Sequence, residues 1–188
     1  TGGSWTDAFL TLQAAATVAT SGTDIIKVHV AHSETATASV TWTASCSTIC
    51  VDKDASDALA EMGATTWIGN GGAFTLNGGT FQYFYGLTFR NGWSSTNQTL
   101  YLPGSDGSHR VYEKCYLWAA NTQGAGGSTI FASGAGDSQT FVKFKECTFR
   151  FAVAAHRILV AGKIVMEGCS LSSAGTAPTT QVFQFTMA

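Results

Sequence analysis

The chain has 188 residues, a formal net charge of −2 and only 12% charged residues, with 21 Gly against 2 Pro. That length supports one domain with a real core. The charge leaves no basic footprint for nucleic acid, and no apolar run approaches the roughly 20 residues that span a bilayer. The opening TGGSWTD has neither a basic start nor an apolar core, so no secretion signal is expected.

The first predicted element is a helix. SWTDAFLTLQAAATVATSG puts Trp5, Phe9, Leu12, Ala16 and Ala19 on one face. Ser4 with Asp7 three residues on resembles a capping box, and Gly22 ends the run. Next, Ile26, Val28 and Val30 alternate against Lys27 and His29, which predicts a strand. SVTWTASCSTICVDKDASD reads as strand, turn and strand, and the Gly-rich stretch around residues 69–80 reads as turns within a first complete coil.

From there the chain repeats. Leu87, Cys115, Cys147 and Cys169 are equivalent anchors, 28, 32 and 22 residues apart. Three residues before them stand Phe84, Tyr112, Phe144 and Met166; two residues after stand Phe89, Leu117, Phe149 and Leu171. The pairs in between, such as Glu113-Lys114 and Lys145-Glu146, are mostly charged or contain Gly. Alternation keeps one face inward, so two outward residues in mid-run require a corner between two short strands. Repeats at this period predict a solenoid, with one supersecondary unit per turn. The fifth position before the anchor fits less well, since Val142 and Ile164 are apolar but Gln82 and Arg110 are not. The expected organisation is a single all-β domain over 1–188: a capping helix in 1–22, leading strands and a partial coil in 23–65, and repeated coils in 66–188. The helix is expected to cover the open end of the first coil through Trp5, Phe9 and Leu12, since a bare solenoid end exposes apolar surface and strand edges.

The segment GGSWTDAFLTLQAAATVATSGTDIIKVHVAHSET resembles the opening of right-handed parallel β-helix proteins of the pectin-lyase-like superfamily. Its continuation, VAHSET then ICVDKD then FYGLTF, is similar to β-helix proteins among the structural genes of tailed bacteriophages and prophages. The resemblance implies a right-handed parallel β-helix in a virion. It does not fix an activity, because that superfamily holds lyases, hydrolases, adhesins and inert structural proteins.

Candidate chemistry is sparse. Cys115, Cys147 and Cys169 share one column, where stacking at about 4.8 Å permits a zinc site or a disulfide. Leu87 in the same column favours core filler instead. Cys46 and Cys50 form a C-x3-C pair open to a local disulfide, although five cysteines in total fit free thiols better. His29, His32, His109 and His156 are dispersed, with His109 expected in the GSDGSHR loop. Asp52, Asp54 and Asp57 cluster; Asp52 and Asp54 alternate on one strand face, where a cation is the alternative to a loop start. Asp106 and Asp137 fall in Gly/Ser loops, while Glu113, Lys145 and Glu167 predict a cross-coil charge ladder on the solvent face. The sequon Asn97-Gln98-Thr99 is assigned no role, and Trp93 and Tyr101 offer aromatics for sugars or a neighbouring subunit.

The expectation is therefore a virion structural protein, foremost a head-decoration or cementing protein on the capsid surface. No catalytic, cofactor-binding or metal-binding residue is assigned. The partners expected are the major capsid protein or another virion protein and copies of the chain itself, with a flat lateral face suited to a cyclic trimer. The alternative is a tail spike or receptor-binding protein that binds or cleaves host surface polysaccharide, as a lyase or glycoside hydrolase would.

Overall fold

In a computed structural model, the structure describes residues 4–36, 40–42, 45–68, 74–76, 81–91, 99–101, 108–119, 129–131, 141–152, 157–160, 163–173 and 183–185. After helix α1 (Leu12–Val18), strands β1 (Ile25–His29), β2 (Ser33–Ala36) and β3 (Val40–Trp42) follow. Then come β4 (Ser47–Asp52), a 3-10 turn at Lys53–Ala55, β5 (Ala58–Leu59), β6 (Gly63–Ile68) and β7 (Phe74–Leu76). The central part holds β8 (Phe81–Tyr85), β9 (Leu87–Asn91), β10 (Thr99–Tyr101), β11 (His109–Glu113), β12 (Tyr116–Ala119) and β13 (Thr129–Phe131). The last six strands are β14 (Phe141–Lys145), β15 (Thr148–Phe151), β16 (Arg157–Val160), β17 (Lys163–Glu167), β18 (Ser170–Ser173) and β19 (Phe183–Phe185).

These strands make three sheets. Sheet 1 runs β1-β4-β8-β11-β14-β17, sheet 2 runs β2-β6-β9-β12-β15-β18 and sheet 3 runs β3-β7-β10-β13-β16-β19. Every neighbouring pair along these paths is parallel; β5 is a short antiparallel addition to β4. The chain visits the three sheets in fixed rotation, and each such circuit lays one strand on each sheet. The rotation begins at Ile25 and runs through β19.

Register places the repeat as its side chains demand. Phe84, Tyr112, Phe144 and Met166 are successive partners in sheet 1, as are Phe89, Leu117, Phe149 and Leu171 in sheet 2. The rings of Phe84, Tyr112 and Phe144 stack at 5.0 and 5.2 Å, and Phe89 and Phe149 meet that column edge-on. Such aromatic pairs contribute about 0.5–1.5 kcal/mol beyond the area they bury. Burial fades at the far end: Met166 is half-buried and Leu171 is 49% exposed. The awkward column five residues before the anchor also points inward. Gln82 and Arg110 are both fully buried, and the Arg110 guanidinium donates to Ser108 Oγ at 3.1 Å.

The helix is shorter than its periodicity predicts. It starts at Leu12, with Thr11 as the N-cap accepting the Ala14 N–H, and it stops at Ala19 rather than Gly22. Ser4 and Asp7 do bond reciprocally, but they close an isolated turn. Glu34 explains the later start, because its carboxylate accepts the Leu12 N–H and satisfies a first-turn donor from across the fold. Leu12, Ala16 and Ala19 join the core with Ile26, Val28 and Trp42. Trp5, in contrast, lies outside the core, 37% exposed and edge-on to His29, and Phe9 is half-buried.

Candidate functional site

The corners between sheets 1 and 2 set where outward side chains point. Gly86, Lys114, Glu146 and Gly168, each just before an anchor, all adopt left-handed backbone, with φ of 70, 52, 52 and 61°. One residue of that conformation turns the chain from one strand into the next. At Gly86 a side chain is excluded outright, since a Cβ there would lie 2.0 Å from the Ala60 carbonyl oxygen. Because each corner has the same form, residues at equal distance beyond it fall into straight rows on sheet 2.

One row, three residues past the anchor, is the most distinctive surface described. Arg90, Trp118, Arg150 and Ser172 are successive register partners on β9, β12, β15 and β18. The Trp118 ring lies between two guanidinium groups, 4.0 Å from Arg90 and 4.7 Å from Arg150. Arg150 also donates to the Tyr116 hydroxyl at 3.1 Å. Burial, and secondarily the like charge of Arg150, hold the Arg90 guanidinium below its ordinary pKa. Beside this row runs a second, Thr88, Tyr116, Thr148 and Ser170, in which Thr148 and Ser170 share a 2.9 Å hydroxyl bond. Stacked arginines fix planar donor arrays that match carboxylate, phosphate or sulfate groups, and a half-buried indole adds an apolar contact. The arrangement suits an anionic partner.

The outward face of sheet 1 carries charges that are engaged with one another. Lys145 Nζ meets Glu113 at 2.8 Å, as the predicted ladder requires. Glu167 departs from it and pairs with Lys143 at 2.8 Å, not with Lys145. Lys143 sits two positions back along β14, opposite Val165, so its pair with Glu167 crosses the ladder diagonally. Lys114 makes a second ladder along the corners with Glu61 and Glu146. Glu113 further accepts the Tyr83 hydroxyl at 3.0 Å. The ion pair with Lys145 leads in holding the Glu113 carboxyl below its usual range, and Lys143 does the same for Glu167.

The aspartate cluster does not converge. Asp52 closes the 3-10 turn by accepting the Asp54 N–H, Asp54 pairs with Lys53, and Asp57 takes Lys27 at 2.8 Å and the Trp5 indole N–H at 2.9 Å. Asp54 therefore leaves the strand face it was expected to share with Asp52. Lys53 and Lys27 respectively lower the Asp54 and Asp57 carboxyl pKa values. Among the described residues, no group of three or more His, Cys, Asp or Glu is placed to hold a metal ion. An open cleft of about 700 Å³ lies between the opening segment and β1, lined by Trp5, Leu12, Ile26, Lys27, His29 and Asp57. The charged residues that line it are engaged: Lys27 with Asp57, Lys53 with Asp54, and Asp24 with the Thr20 and Ser21 N–H groups.

All five thiols are free. Cys115, Cys147 and Cys169 donate to the carbonyls of Phe84, Tyr112 and Phe144, in each case one circuit back. Burial raises the Cys115 thiol well above its ordinary pKa and pushes Cys50 to about 11, so both are held as inert thiols. His29 accepts the Lys53 N–H, His32 lies 3.7 Å from Glu34, and His109 opens β11 beside the Phe141 ring instead of lying in a loop. His156, Asp106, Asp137, Trp93 and Asn97-Gln98 lie outside the described residues, and Tyr101 is described by its backbone alone. The Arg90–Trp118–Arg150 row was absent from the sequence reading. The signal for it was present as a third column, three residues past each anchor. No protein-family profile, curated protein or solved structure matches this chain.

Proposed function

We propose that the chain is a right-handed parallel β-helix serving as a structural protein of a tailed-phage virion, foremost a decoration or cementing protein bound to the capsid surface. The fixed rotation of the chain through three in-register parallel sheets supports the β-helix. The strong right-handed preference of parallel crossovers supports the hand. The phage setting rests on the resemblance of the opening segment and of the ICVDKD and FYGLTF stretches.

One observation carries the non-catalytic reading. Each described carboxylate is committed to a cation, a hydroxyl or a backbone N–H, and the Asp54, Asp57, Glu113 and Glu167 carboxyls are all shifted downward. Glycan hydrolysis needs one carboxyl raised, to act as an acid, facing a second at roughly 5–9.5 Å. Charges locked in this way stiffen a surface instead. On a repetitive shell, modest contacts then give high occupancy through effective concentration.

A second reading is favoured by the Arg90–Trp118–Arg150 row, which presents stacked cations and an indole to an acidic host glycan. Two assays separate the readings: saturable binding to undecorated capsids, and binding to or cleavage of capsular polysaccharide and lipopolysaccharide. Capsid binding without product release supports the proposal. Glycan binding lost on Trp118→Ala, without capsid binding, supports the second reading. Cleavage lost on Asp52→Asn or Asp54→Asn overturns the non-catalytic reading altogether.

A further inference from the structure

We infer that two copies of this chain join end to end through antiparallel pairing of β17 with β17 of a second copy, about a two-fold axis at Val165. Strand β17 ends sheet 1: it pairs with β14 on one side, and among the described residues no strand pairs its other edge. Its sequence, Lys163-Ile164-Val165-Met166-Glu167, is complementary to itself when reversed. Antiparallel pairing centred on Val165 sets Lys163 opposite Glu167, Ile164 opposite Met166, and Val165 opposite its own counterpart.

The backbone has the phase this register needs. The Glu146 N–H donates to the Glu167 carbonyl at 2.7 Å, so the polar groups of Glu167, and by alternation those of Val165 and Lys163, face β14. The N–H and C=O groups of Ile164 and Met166 then face the open edge. In an antiparallel pair, facing residues either exchange both hydrogen bonds or exchange none, in alternation. Ile164 and Met166 of each copy fall on the bonded positions. Val165 and the Lys163–Glu167 pairs fall on the unbonded positions, where side chains approach most closely.

The side chains agree with the backbone. Ile164 and Met166 are half-buried on the inner face, packed against the core, while Val165 is 41% exposed. A perpendicular two-fold keeps inner faces together, so the partner's Met166 and Ile164 extend the apolar column. Among the described residues, Lys163 has no carboxylate within salt-bridge distance, and Glu167 has one cation, Lys143, at one side. The contact is isologous and closes on itself, so it produces a pair and not a filament.

Sedimentation velocity of the full chain over a concentration series tests this. The expected mass is twice the 19.7 kDa of one chain. Lys163→Glu and Glu167→Lys each place like charges opposite one another at both ends of the strand, so each variant alone should sediment as a single chain. An equal mixture of the two makes every facing pair opposite in sign and should restore the doubled mass, an outcome that misfolding cannot imitate. Ile164→Pro removes an N–H that faces only the open edge and should give single chains with unchanged circular dichroism. Wild type running as a single chain or as an odd number of chains overturns the inference. So do charge variants that keep the wild-type mass, or a mixture that stays dissociated. A single chain whose β17 instead pairs with a strand of a different protein also counts against it.

Discussion

The two ends of the sheets are built from the same columns and finish differently. At the first end, Ile26 and Val28 are buried beneath Leu12, Ala16 and Ala19 of α1. At the other, Ile164 and Met166 are half-buried and Leu171 is half-exposed, although each continues a column whose earlier members are closed to solvent. An inward position is therefore not the same as a buried one. The repeat aims the side chain, and whatever lies beyond the terminal strand removes it from water.

The largest test of this contrast is to strip the covered end. Deleting residues 1–20 removes the helix and leaves β1 with an open edge and an apolar section. The expected outcome is aggregation by edge pairing, read by light scattering; a soluble, monodisperse product would show that α1 covers nothing of consequence. Next comes a matched pair of truncations within one column. Phe144→Ala empties a stacked, fully buried site and should cost about 3–5 kcal/mol, whereas Met166→Ala, at a half-buried position of the same column, should cost about 1 kcal/mol in the single chain. Equal losses in denaturant unfolding would erase the distinction between the ends.

The cysteine column sharpens the same point with smaller effects. Cys147→Ser should destabilise by about 1–3 kcal/mol by placing a hydroxyl in an apolar site, and Cys147→Ala should cost less. Cys169→Ser, at a half-buried position of the same column, should cost less than either. The smallest effect belongs to the outer ladder. Glu113 titrates below the ordinary carboxylate value of about 4.3, so its stabilising contribution is complete above that pH and is lost as pH falls through the lowered value. Lys145→Ala removes the leading cause of that shift, so it should flatten the acid limb of the stability profile by a small loss near pH 7, where the contribution is complete, and leave stability below the lowered value unchanged.

The columns at Phe84 and Phe89, and the corners between them, were legible in the sequence because large apolar residues recur at fixed distances from an anchor. The first two circuits were legible only as leading strands and a partial coil, because Thr48 on β4 holds the position that Phe84 and Tyr112 hold later, and β2 reads Ser-Glu-Thr-Ala. Backbone pairing sustains those strands without the aromatic signal. Gln82 and Arg110 broke the apolar pattern of their column, and tertiary context buries both all the same. The start of α1 was set by Glu34, 22 residues away, which no local cap rule can see. On sheet 2, Arg90, Trp118 and Arg150 look unrelated along the chain; parallel register alone brings them into one row.

That parallel register also gives the molecule a mechanical grain. Within each sheet the interstrand hydrogen bonds lie across the strands, along the direction in which successive circuits are added. Tension in that direction loads one rung of the ladder at a time, so the terminal circuit peels first and the rest follows in steps. Force along the strands shears a whole set of bonds at once and meets a single high barrier. On the proposed β-helix the protein is thus compliant on one axis and stiff on the other two, and the way it is anchored decides which resistance it offers.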